Sequence, residues 1–153
     1  MTLRSRVALI ATPILALTLL AGCTPSSGDG TANQSPSAAP SVTPTFSPNG
    51  TASDNIAMFR FVISRALHQA GWEAKTSAVA QQLVAAGFAK KGIQFTPNST
   101  AIGLKPDSVT VSAVVGKECL IAQYGPSIKD LAVSVAPVLS SGGCLLGRSI
   151  EHL

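Results

Sequence analysis

Between Thr24 and Ser53, twenty of thirty residues are Ser, Thr, Pro or Gly, and the only aromatic is Phe46. Such a stretch buries too little apolar surface to offset the entropy of ordering it, so it is expected to be a disordered tether. Its mean span, at about 5–6 Å times the square root of length, would be roughly 30 Å. Folding is left to residues 54–153, one hundred in all. That length makes one small domain around one core.

Ahead of the tether, Arg4 and Arg6 precede an apolar run from Val7 to Leu20 that contains Pro13. The run falls short of the ~20 residues needed to cross a bilayer. A positive segment, an apolar stretch and then small residues is the order of an export signal. The ending Leu20-Ala21-Gly22-Cys23 resembles the lipobox of bacterial lipoproteins. That resemblance implies a signal peptide over residues 1–22, cleavage before Cys23 and diacylglycerol on its thiol. Residues 23–53 then carry the lipid and the tether. Two acyl chains give stable attachment where one gives only marginal binding. The expected address is the extracytoplasmic face of the cell membrane, with the membrane itself a partner through Cys23.

Charge narrows the partners. The chain carries a net +4, but Arg4 and Arg6 leave with the signal. From Cys23 onward nine Lys/Arg stand against seven Asp/Glu, and the cations are scattered. Nucleic acid is therefore not an expected partner.

With Cys23 lipidated, Cys119 and Cys144 remain. An even pair outside the cytoplasm reads as a disulfide. Two buried free thiols are the alternative, and a metal pair is a weaker one. His68 and His152 are the only histidines and no Cys-x-x-Cys occurs, so no metal site is expected.

The hundred residues carry readable punctuation. Ser53-Asp54 caps an expected helix to Ala70, with Ile56, Phe59, Val62, Ile63, Ala66, Leu67 and Ala70 on one face. Gly71 ends it and Trp72 should pack back on Leu67. A second helix starts at Thr76 or Ser77 and ends at Gly87, with Phe88 folding back on Leu83. Ile93–Thr96 alternates as a strand, and Ile102–Leu104 extends it or forms a short separate one. Ser108–Val115 and Glu118–Tyr124 form a hairpin through a type II′ turn at Gly116-Lys117. Ser127–Leu139 is ambiguous: Ile128, Leu131, Val135 and Leu139 have helical spacing, but Pro137 interrupts. Cys144–Arg148 reads as a last short strand, tied by the disulfide to the return strand of the hairpin. The expected class is α+β, an N-terminal helical hairpin packed on an antiparallel sheet of three or four strands.

Gly87-Phe88, Asp107-Ser108-Val109, Glu118 to Gly125, Pro137-Val138-Leu139 and Gly143 to Gly147 are similar to a domain of unknown function. That domain occurs in lipoproteins of Gram-positive bacteria. The resemblance implies the lipid anchor, the tether and the cysteine pair, and carries no assigned reaction or ligand.

Catalytic patterns are sparse. No Gly-x-Ser-x-Gly elbow and no phosphate-binding loop occurs, and His68 falls on the polar side of its helix. No catalytic residue and no cofactor is expected. A contact surface has better support. Met58 and Phe61 lie on the polar side of the first helix near Arg65 and His68, where large apolar residues mark a contact patch, unless the strand-rich half covers that side too. Gln123 and Tyr124, at the end of a strand, are a second candidate, with Tyr124 as a core ring whose hydroxyl reaches a backbone carbonyl the alternative. The expected role is a binding or accessory module of the cell envelope with a protein or cell-wall partner. The alternative is a small envelope hydrolase or a small-molecule-binding protein.

Overall fold

A computed structural model describes residues 42–153; the expected signal segment, Cys23 and the expected tether up to residue 41 lie outside the described residues. Helix α1 covers Ala52–Ala70 and α2 covers Thr76–Ala85. Five strands follow: β1 (Ile93–Phe95), β2 (Val109–Val115), β3 (Glu118–Tyr124), β4 (Leu131–Pro137) and β5 (Glu151–His152). All pair antiparallel in the order β4-β3-β2-β1-β5. The class is α+β as expected, with five strands rather than three or four.

Both helices pack on one face of the sheet, α1 over β3 and β4, α2 over β1 and β2. The core forms where the 3.6-residue stripe of each helix meets the two-residue period of each strand. Phe59, Ile63, Leu83 and Phe88 come from the helical layer, and Ile93, Val111, Leu120 and Tyr124 from the sheet. Asn55 is buried among them and fully bonded: its amide takes the Ser47 N–H and donates to the Ser47 and Thr51 carbonyls.

Helix α1 begins two residues earlier than the Ser53-Asp54 cap implied. Thr51 is the cap, and Asp54 completes a reciprocal capping box by accepting the Thr51 backbone N–H at 2.8 Å. Those bonds to Thr51 hold the Asp54 carboxyl below its usual range. The chain ahead of α1 also packs. Phe46 lies with its ring centroid 4.7 Å from that of Phe88, which meets Phe59 edge-on at 5.6 Å.

At the end of α2 the expected motif forms. Phe88 N–H bonds the Leu83 carbonyl at 3.1 Å and Gly87 N–H that of Val84 at 3.0 Å. Gly87 has φ 109, and a Cβ there would lie 2.7 Å from the Phe46 ring. The start of α2 departs from expectation: neither Thr76 nor Ser77 caps it. Thr76 is buried, gives its hydroxyl to the Thr96 carbonyl, and its N–H is capped from afar by Asn98 Oδ1 at 2.9 Å.

The β2–β3 hairpin matches its reading, from Val109↔Tyr124 to Val115↔Glu118, with Gly116 at φ 62 in the turn. The ambiguous Ser127–Leu139 segment resolves as strand β4, paired from Tyr124↔Leu131 to Glu118↔Pro137. Ile102–Leu104 is an exposed turn. Cys144–Arg148 forms no strand; the last strand is the two-residue β5 on the far edge, beside β1.

Cys119 and Cys144 are joined by a disulfide. It ties β3 to a loop, not to a strand. Cys119 alternates away from the helices, so this loop crosses the other face of the sheet. Gln94 Oε1 holds it there by accepting the N–H groups of Cys144 and Leu145, the latter at 3.0 Å. At the hairpin's open end Gly125 crosses Asp107. A Cβ on Gly125 would fall 2.3 Å from the Asp107 carbonyl oxygen, and Ser127 bonds that residue through backbone and side chain.

Candidate functional site

The stripe that buries α1 leaves Met58, Phe61 and Arg65 on its flank, facing α2. Gln82 and Ala85 come from the facing flank of α2, and Ala86 from its C-cap. Because alanines stand where longer side chains would fill the space, an open groove of about 250 Å³ remains, floored by Val62. Phe61 is half-buried, and it is absent from the residues packed on the core, unlike Met58. Gln82 adds a polar demand: its Oε1 is buried and accepts no hydrogen bond. Such an oxygen costs about 1–3 kcal/mol until a donor reaches it. Arg65 is exposed and supplies the groove's one charge among its lining residues.

His68 does not join Phe61 and Arg65. It lies in a separate cleft of about 350 Å³ with Ser64, Leu67, Trp72 and Leu131. Trp72 is half-buried and also borders a cleft of about 160 Å³ with Glu73, Lys75, Lys105, Pro106 and Pro126. Across that cleft Lys105 Nζ and Glu73 pair at 2.9 Å, both well exposed. Trp72 shares the His68 cleft with Leu67 and so fronts two clefts that helix-end packing alone did not foretell.

Gln123 and Tyr124 are not a contact pair. Gln123 points to the outer face and donates to Ser108 Oγ at 2.7 Å. Tyr124 is fully buried, so it is the core ring of the alternative reading and not a contact residue. Its hydroxyl donates to the Ala74 carbonyl at 3.1 Å, and burial pushes its pKa far above the usual tyrosine value. Adjacent residues on a strand face opposite sides, which separates the two. Among the described residues no group of three or more His, Cys, Asp or Glu stands close enough to hold a metal ion. None of the described helices is long and apolar enough to cross a membrane.

Gln82, Ala85 and Ala86 were missed because only their pairing across α1 gives them meaning. A polar Gln82 between Val79 and Leu83 was the one available signal.

A family described as a domain of unknown function, DUF6993, matches residues 64–148. The chain belongs to this family. The DUF6993 match runs from the second half of α1 to the loop after the disulfide, so it takes in Arg65, Gln82, Trp72 and both cysteines. Phe61 stands just ahead of it. Neither the characterised proteins nor the solved structures contain a match to this DUF6993 chain.

Proposed function

We propose that this DUF6993 protein is a binding module of the bacterial cell envelope, held at the extracytoplasmic face of the membrane by lipid on Cys23. The groove between α1 and α2 is its docking site. The carrying observation is the convergence there of three features: Phe61 unused by the core, Arg65, and the orphaned Gln82 oxygen. The occupant that these call for is a partner protein presenting an apolar side chain, an N–H or O–H donor and an acidic group. The disulfide supports the compartment, since such bonds persist where the surroundings are oxidising.

A photo-crosslinking residue at position 61, used on whole cells, tests the docking site. One recurrent partner, lost on Arg65→Glu, is the expected result; the same yield of the same adducts after Arg65→Glu overturns the groove. Cys23→Ala tests the anchor. It should release the protein or leave it unprocessed, and unchanged membrane retention with unchanged mature mass overturns it. A second reading, small-molecule binding at Trp72, is favoured by the paired clefts that flank this ring.

A further inference from the structure

The outer edge of β4 is laid out for pairing. Val138 N–H bonds the Lys117 carbonyl at 3.1 Å, one step beyond Glu118↔Pro137, which sets the phase of the β3–β4 ladder. Antiparallel ladders alternate bonded and non-bonded pairs. The N–H and C=O groups of Leu131, Val133 and Val135 therefore point away from β3, along with the Pro137 carbonyl.

The two ends of that edge are already closed. Arg60 donates to the Leu131 carbonyl at 3.1 Å, and Asp130 accepts the Leu131 N–H at 2.7 Å. Pro137 has no N–H to give. Between these ends Val133 and Val135 keep both backbone groups open. The strand bears no charge and no bulge, its one edge-protecting residue, Pro137, stands at the end, and the Val135 side chain is 37% exposed.

We infer that this edge pairs with the same edge of a second copy, about a two-fold axis through Ser134. Antiparallel pairing then sets Val133 opposite Val135 of the other copy, so the four open groups of these two valines find partners in each chain, while the Pro137 carbonyl stays outside the ladder. Leu131, whose groups are in use, meets Pro137, which lacks a donor. The sheet becomes ten strands wide.

The helical layer accepts this arrangement. Since α1 lies over β3 and β4, the two α1 axes stand two strand spacings apart, about 10 Å, close to the separation of packed helices. The stripe of α1 beside the edge is Ser53, Ala57, Arg60 and Ser64, small except at Arg60, which reaches Leu131. Charge agrees as well. Glu118 pairs with Pro137 and accepts the Ala52 N–H at 3.3 Å, so the first turn of α1, with Asp54, stands at the Pro137 end. The two-fold lays the Arg60 end of one copy on this acidic end of the other and keeps the two Arg60 apart. A shared edge used by both copies also closes the assembly at two.

Sedimentation of the full chain, in detergent where lipid is attached, tests the dimer. The wild type should sediment as a dimer. Val135→Pro removes two seam hydrogen bonds per dimer and should weaken association about 30-fold or more. Val135→Glu, which keeps the backbone intact, should do the same while circular dichroism stays that of the wild type. Ser134→Cys provides a positive signal. A non-bonded antiparallel pair brings Cα atoms to about 4.5 Å, within disulfide range. Peptide mapping should find the two introduced thiols joined. A wild-type chain that sediments as a monomer overturns the inference, as does a dimer that survives Val135→Glu or leaves the introduced thiols unjoined.

Discussion

Tyr124 is the chain's only tyrosine, so its chemistry can be followed alone. Burial keeps its phenol protonated in the fold, whereas an unfolded chain ionises it near the ordinary value of 10.0. The contribution is fully present below that pH and is lost as pH rises above it, because only the unfolded state sheds the proton. Ultraviolet absorbance and denaturation should change together above about pH 10, and Tyr124→Phe should remove this alkaline limb. At neutral pH that variant loses the bond to Ala74 and should cost about 1 kcal/mol in urea denaturation. The sequence left Tyr124 open between a contact ring at a strand end and a core ring bonded to a backbone carbonyl. The face was decided by α1 and α2 lying on the side of Leu120 and Ala122.

Among the elements, the hairpin and both helices were legible because short-range rules govern them: a turn at Gly116-Lys117, apolar stripes, and Gly87 as a stop. Segment Ser127–Leu139 was not. Ile128, Leu131 and Val135 fit a helical repeat, yet Leu131, Val133 and Val135 fit a strand equally well, and pairing with β3 settles the matter. Likewise β5 is two residues held by Gln94 and Phe95, with no pattern of its own. Phe46 was lost inside a polar composition because its partner Phe88 lies far along the chain. Phe46→Ala should lower stability by about 2 kcal/mol, less than a fully buried ring would, as read by thermal unfolding. No change on that substitution would show that packing begins only at α1. Thr51→Ala, which removes the cap of α1, should cost about 1 kcal/mol in the same measurement.

At the scale of the molecule, the disulfide fastens a loop over the sheet face that the helices leave uncovered. The bond spans 25 residues, and removing it through the paired change Cys119→Ser with Cys144→Ser should cost about 3–4 kcal/mol in chemical denaturation. Equal stability of the wild type with and without reductant would contradict that role. The pairing was legible from cysteine arithmetic; its attachment to a loop was not, because Gln94, which seats the loop, belongs to a distant strand. The groove was half legible, through Phe61 and Arg65, and its α2 wall appeared only once the helices were side by side.

Where Gly125 passes over Asp107, two main chains touch with no room for a methyl group. This corner sets the angle at which the polypeptide enters β4, and Ser127 and Lys129 are bonded back to it. A single added carbon at position 125 would thus swing the whole border strand, disturbing Leu131 in the His68 cleft and the valines beyond it. The least conspicuous residue of the bend governs what the far rim of the molecule can touch.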